Sequence, residues 1–243
     1  RKCVASIMIY DYSRTYITVV SAPNLPQEAI KILDGTVPGE GMGSCSNAVL
    51  LGKPAFVRDV LVDNRWHKVR DIAKKFKIGA CWSFPIFVHG KVTGSFAISS
   101  FEKRAPSKLH QQLLKISAHL AGIAIERSIN DEIMSHSNTA FNNTSEAILV
   151  SDIHGTVFRS NKAYHTISGF DVSDTQKFNI FEALVMEEFL IRTVKACLLK
   201  KGTWRGEIEA RKKSGKSFPA LLNISVVNDK RGHPCQYVAV LSD

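Results

Sequence analysis

Apolar and β-branched residues recur in two short runs at the start of the chain, VASIMIYD and TYITVVSA, and the turn residues Asp11–Arg14 between them predict a strand pair. PQEAIKIL predicts a short helix opened by Pro26, DGTVPGEGMG a glycine-rich loop, and SCSNAVLLGK a helix capped by Ser44 and stopped by Gly52. PAFVRDV predicts a strand. CWSFPIFVHGKVTGSFAISSF predicts a hairpin turning near His89–Gly90, with Gly94 letting backbones approach closely. After Pro106–Ser107 comes the longest helical pattern, in which Leu109, Leu113, Ile116, Leu120 and Ile123 follow a 4-3-4-3 step. Such a stripe can face its own sheet or a partner helix. Beyond Ile123 the seam meets Arg127 and Asn130, while Ile129 and Ile133 fall on a shifted face, so the register changes.

The polar, cap-rich stretch SHSNTAFNNTSE (135–146) predicts a domain boundary. A second α/β run comes after it. AILVSDIHGTVFRSN predicts a hairpin turning at Ile153–Gly155, with Asn161 capping KAYHTI. NIFEALVMEEFLIRTVKACLLKKG predicts two successive helices, and three strands separated by turns at Lys213–Lys216 and Asp229–Gly232 close the chain. The expected fold class is therefore α+β: two domains, 1–130 and 131–243, each an antiparallel sheet flanked by helices, joined by a long helix.

The chain has 243 residues, 44% of them hydrophobic and 22% charged, enough for two soluble domains. No apolar run is long enough to span a bilayer. Its five cysteines, Cys3, Cys45, Cys81, Cys197 and Cys235, are odd in number, widely spaced and free of any C-x-x-C, which points to reduced thiols in a cytoplasmic protein. Charge is uneven: residues 1–130 hold 18 Lys and Arg against 9 Asp and Glu, and residues 131–243 hold 14 against 13. Much of the excess lies in RWHKVRDIAKKFK (65–77), where Trp66, Val69, Ile72, Ala73 and Phe76 recur at helical spacing and predict an amphipathic helix. No nucleic-acid motif accompanies this basic face, so a nucleic-acid partner is disfavoured.

The segments GMGSCSNAVLLGKPAFVRDV, NRW, GACWSFPI, GKVTGSFAI and RAPSKLHQQLLKISAHLAGIAIER, in this order and spacing, resemble a GAF domain across roughly residues 3–130. AILVSDIHGTVFRSNKAY, SGF, GTWRGEIEARKKSGKSFPALLNIS and the closing YVAVLSD are similar to a PAS domain across roughly residues 139–243. The resemblance implies a sensory fragment of a bacterial signalling protein that starts after the usual first GAF helix. It also implies a homodimer made through helices and a C-terminal output domain beyond this chain. The GAF subtype looks most like those of cyclic-di-GMP synthases (diguanylate cyclases) and phosphodiesterases, with histidine kinases as the alternative.

By that resemblance a small ligand would enter a GAF pocket near Ser44, Cys45, Asn47, Trp66 and Trp82, and a PAS pocket would be lined by Phe158, Phe181, Cys197 and Trp204. The dimer and signalling helix would carry Leu109, Leu113, Ile116, Leu120 and Ile123, with the register change after Ile123 as its bistable element. No cofactor is evident. Bilin is disfavoured because no Cys-His pair occurs, haem because the helix before GTWRGEI has no histidine, and covalent flavin because its cysteine motif is missing. The cyclic-nucleotide signature of the family is missing as well. No metal site and no catalytic motif is expected. Cys45 sits where the free methionine sulfoxide reductases of this family carry a cysteine, but GACWSFP does not match their cysteine segment and no resolving thiol occurs near Cys81. Both cysteines are expected to be small packing residues, with a non-catalytic sensor favoured over a pure dimerisation scaffold.

Overall fold

The computed structural model describes residues 3–11, 13, 15–175, 178–184 and 187–242. Two compact units emerge, Arg1–Asp131 and Glu132–Asp243. In the first, β1 (Cys3–Asp11), β2 (Tyr16–Ser21), β3 (Ala55–Val57), β4 (Ala80–Val88) and β5 (Lys91–Ser100) form an antiparallel sheet in the order β2-β1-β5-β4-β3. The β4–β5 turn has His89 at φ 49° and Gly90 at φ 75°, the left-handed pair that a tight hairpin needs. Gly94 is required for packing: a Cβ there would lie 2.2 Å from the Met8 carbonyl oxygen of β1.

Strand alternation divides this sheet into two unlike faces. One carries Ile7, Trp82, Phe84, Ile86, Phe96 and Ile98 and receives α4 (Lys108–Asn143) through Leu114, Ala118 and Ala121. Gly122 brings that helix closest, since a Cβ there would come within 2.6 Å of the Phe87 carbonyl oxygen. The sheet thus takes the small-residue side of α4. The stripe Leu109, Leu113, Ile116, Leu120 and Ile123 stays between 46% and 63% exposed. The opposite face is covered by α1 (Gln27–Leu33), α2 (Gly43–Leu51) and α3 (Arg70–Lys75).

Two predicted elements differ. The amphipathic helix expected from residue 65 is instead a 3-10 turn, Asn64–Trp66, followed by α3. Asp63 accepts from the Arg65 N–H and starts the turn, while Trp66 and Val69 both go into the core, which breaks the helical path between them. Of the stretch expected to mark the boundary, 135–146, residues 135–143 belong to α4, which runs 36 residues to Asn143. Its polar side chains satisfy themselves within the helix: Thr139 Oγ1 donates to the Ser135 carbonyl at 2.9 Å and Asn142 Nδ2 to that of Asn138 at 3.0 Å.

In the second unit, β6 (Ala147–Asp152), β7 (Val157–Ser160), β8 (Thr203–Arg211), β9 (Ser217–Asn228) and β10 (Pro234–Ser242) form an antiparallel sheet in the order β7-β6-β10-β9-β8. Helices α5 (Lys162–Ser168), α6 (Val172–Thr175), α7 (Ile180–Ala183) and α8 (Glu188–Lys201) lie between its second and third strands. Leu149, Ile180, Leu184, Val194, Leu222 and Ile224 make its core without measurable exposure. Asn161 organises the entry to this unit. Its Oδ1 accepts from the N–H groups of Ile148 (2.9 Å) and Tyr164 (3.0 Å), and its Nδ2 donates to the carbonyls of Phe141 (3.1 Å) and Glu146 (2.8 Å). One side chain therefore caps the start of α5 and satisfies a carbonyl in the last turn of α4.

Candidate functional site

The α2-facing side of the first sheet is built from small polar residues. Ser6 on β1, Cys81 and Ser83 on β4, and Ser95 and Ser99 on β5 share it with Met8 and Ala97. Small side chains let α2 lie close, and they leave a partly enclosed cavity of about 60 Å³ between sheet, α1, α2 and α3. No Asp, Glu, Lys, Arg or His is among its described lining residues.

Ser44 joins the walls. It is not the predicted cap, because α2 starts at Gly43 after Met42, with no side-chain cap. Its hydroxyl accepts from Trp66 Nε1 at 3.0 Å and donates to the Cys81 carbonyl at 3.1 Å. Tertiary partners have taken the group that a local pattern assigned to the helix end. The glycine loop before α2 is tied down on both sides: Ser46 Oγ accepts from Gly39 N–H at 2.8 Å, and Lys68 N–H donates to the Gly41 carbonyl at 3.2 Å. Gly41 has φ +80°, and a Cβ there would run into the His67 ring at 2.2 Å, so this turn requires glycine.

Of the five residues expected at this pocket, Ser44, Cys45 and Trp66 line the cavity and Asn47 and Trp82 do not. Asn47 Nδ2 donates to the Gly43 carbonyl within α2. Trp82 is fully buried on the other face, against Ala80 and Leu114, with Nε1 donating to the Arg104 carbonyl at 3.2 Å. Strand parity contained that signal, since Cys81 and Trp82 are neighbours and must point opposite ways.

Spacing alone did not reveal that Cys45 and Cys81 meet. Both line the cavity, Cys45 packs against the core cluster that holds Cys81, and Ser99 Oγ lies 3.5 Å from Cys81 Sγ. The Cys81 thiol, then the buried hydroxyls of Ser83 and Ser95, bring the Cys45 thiol down to about 7 against the opposing cost of burial. Its partnership with Cys45, and burial after it, push the Cys81 thiol well above the usual range. The buried Ser83 and Ser95 hydroxyls have no hydrogen-bond partner among the described residues, and both favour the thiolate form of Cys45.

The four residues expected at a second pocket do not converge. Phe181 is sealed in the core edge-on to Tyr237, at 6.0 Å between ring centroids, Cys197 and Trp204 are half-buried, and Phe158 is 47% exposed because its neighbour Val157 takes the inward position on β7. A cavity of about 260 Å³ in this unit is lined instead by residues including Ile153, Leu198, Val226 and Tyr237. Among the described residues no three His, Cys, Asp or Glu side chains gather as a metal ion would need, and no helix is long and apolar enough to cross a membrane.

Two five-stranded antiparallel sheets with flanking helices, the first bordering a small cavity, define a tandem of α+β domains. The GAF domain model matches residues 3–126, half of the chain, and the PAS domain model matches residues 145–243; the chain belongs to the GAF domain family and carries a PAS domain after it. A "Methyl sulfide methyltransferase-associated sensor" of Methanosarcina acetivorans is 27% identical over 157 residues, 63% of this chain but 16% of the relative's length. A chain of the E. coli DhaR(N)-DhaL complex matches at a TM-score of 0.50 with 18% identity, covering 100% of this chain and 80% of that one, which extends the likeness in fold across both domains. The PAS domain of a Colwellia psychrerythraea protein matches at a TM-score of 0.43 with 20% identity, over 46% of this chain and 96% of its own.

Proposed function

We propose that this chain is the input region of a cytoplasmic signalling protein, in which a small neutral molecule occupies the cavity under α2. The observation that carries this reading is a partly enclosed cavity with no Asp, Glu, Lys, Arg or His among its described lining residues. An ion placed there without a counter-charge would lose on the order of several kcal/mol of solvation, so the occupant is neutral. At about 60 Å³ the space admits only a few non-hydrogen atoms unless α2 or the glycine loop moves. Binding that favours one position of α2 would act on the loop held by Ser46 and, through the sheet, on the seat of α4. The register change after Ile123, where Arg127 and Asn130 replace apolar residues, is the bistable element in this scheme. The motif resemblance of the first half supports a bacterial source and a cyclic-di-GMP output, with a histidine kinase as the alternative.

A melting-temperature screen tests the reading. Small neutral molecules should raise Tm, by an amount equivalent to about 2.7 kcal/mol at a hundredfold excess over Kd. Charged analogues of equal size should not, and Ala29→Leu, which puts three more carbons against the cavity, should abolish the rise. Equal stabilisation by charged analogues would contradict it.

One observation favours a second role, dimerisation. The exposed stripe on α4 borders an open groove in which Ile116 and Leu120 stand beside Phe84 and Phe87. Ile116→Asp combined with Leu120→Asp should weaken self-association at least a hundredfold in sedimentation equilibrium. An unchanged dimer would remove the stripe from the interface.

A further inference from the structure

Cys45 and Cys81 differ in ways that suit two successive chemical roles. Cys45 retains partial solvent access, opens onto the cavity and is held as a partial thiolate at neutral pH. Cys81 is 2% exposed, stays protonated and lines the same cavity, in the core cluster against which Cys45 packs. The cavity they line has no Asp, Glu, Lys, Arg or His among its described lining residues and admits a molecule of a few heavy atoms. Two fully buried hydroxyls on the α2-facing side of the sheet, Ser83 and Ser95, have no hydrogen-bond partner among the described residues, and both favour the Cys45 thiolate. Buried polar groups without partners cost free energy and need an explanation. Hydrogen bonding to a thiolate, and then to an oxygen on that sulfur, supplies one.

We propose that the cavity is a site where a small hydroperoxide oxidises Cys45, with Cys81 as the resolving thiol. This deepens the sensory reading of the same cavity, on which it rests, by naming the class of molecule detected. The Cys45 thiolate attacks the outer peroxide oxygen; an S–O bond forms, the O–O bond breaks, and the departing alkoxide or hydroxide takes up a proton to leave as alcohol or water. The Cys81 sulfur then attacks the Cys45 sulfenic sulfur. An S–S bond forms, the S–O bond breaks, and the released hydroxide takes the Cys81 proton to become water. The two thiols give up two electrons in all, and the hydroperoxide accepts them. Closing the bond draws α2 toward β4, and Ser44 beside Cys45 already links that helix to the Cys81 carbonyl and to Trp66. The loop held by Ser46, the residue after Cys45, moves with it.

The experiment exposes the intact chain to hydrogen peroxide and tracks it by intact mass and peptide mapping. The proposal expects loss of two hydrogens and a single cross-linked pair of peptides containing Cys45 and Cys81, formed at least tenfold faster than oxidation of Cys3, Cys197 or Cys235. Cys81→Ser should accumulate a sulfenic acid at Cys45 that dimedone traps. Ser83→Ala with Ser95→Ala should slow the reaction and move the alkylation midpoint of Cys45 above pH 7. Circular dichroism checks that each variant is folded, and the wild-type peptide map needs no variant. If peroxide leaves Cys45 and Cys81 reduced, or oxidises them no faster than the other three cysteines, this inference fails. Should neutral molecules still raise Tm in that case, the sensory reading survives it; should they not, both fall.

Discussion

Asn161→Ala is expected to destabilise the PAS domain by about 3 kcal/mol or more, because each buried donor or acceptor left without a partner costs about 1–3 kcal/mol. The side chain has no measurable exposure and makes four hydrogen bonds, to Ile148, Tyr164, Phe141 and Glu146. Alanine would orphan two N–H groups and two carbonyls at once. The consequence reaches α4, whose last turns are also held by Arg159, which donates to Asn138 Oδ1 at 2.9 Å and lies 4.2 Å from the Phe141 ring. Urea denaturation should show the lost stability, and hydrogen exchange should show the amides of residues 138–143 losing protection. Asn161→Asp separates the two halves of the role. It keeps the acceptor for Ile148 and Tyr164 but turns a carboxylate toward two carbonyl oxygens. Burial and those oxygens raise the pKa of the new carboxyl above its unfolded value of about 3.9. A raised carboxyl pKa favours the folded state at low pH, so this variant should be less impaired, relative to wild type, near pH 4 than at pH 8. If Asn161→Ala costs under 1 kcal/mol, this hub is not what secures the end of α4.

The second large effect is expected at Trp82. Trp82→Ala should cost the GAF domain about 3–5 kcal/mol, the range for emptying a buried aromatic site. The indole is fully buried beneath Leu114 of α4, its Nε1 is bonded to Arg104, and the Arg104 guanidinium lies 5.3 Å from the ring. Trp82→Phe keeps most of the volume and should recover all but about 1–2 kcal/mol. Trp82 faces away from the cavity, so the phenylalanine variant should leave the Tm response to neutral ligands intact. A lost response would mean that α4 and the cavity are coupled more tightly than the packing implies.

The strand pattern and the order of elements were legible in the sequence because they rest on local rules: period-two alternation, His89–Gly90 and Asn161 before KAYHTI. Errors arose where a partner distant in sequence decides the outcome. Ser44 looks like a cap, but Trp66 and Cys81 claim its hydroxyl. The segment 135–143 looks like a linker, but its Thr and Asn side chains bond back within the helix and Arg159 packs on Phe141. Local pattern identifies Asn161 as the cap of α5. Its grip on Phe141, twenty residues upstream, leaves no trace there. The same holds for Cys45 and Cys81. Their 36-residue separation suggests no relation until α2 is laid across β4. Trp82 was different, since strand parity alone separates it from Cys81.

Native mass spectrometry of the freshly purified chain, with denaturation as the second step, shows whether the GAF cavity holds a small neutral molecule. An added mass is expected on the wild-type chain, released on denaturation and missing from Ala29→Leu. A clean mass of twice the chain weight for both proteins would contradict it and leave dimerisation through α4 as the function.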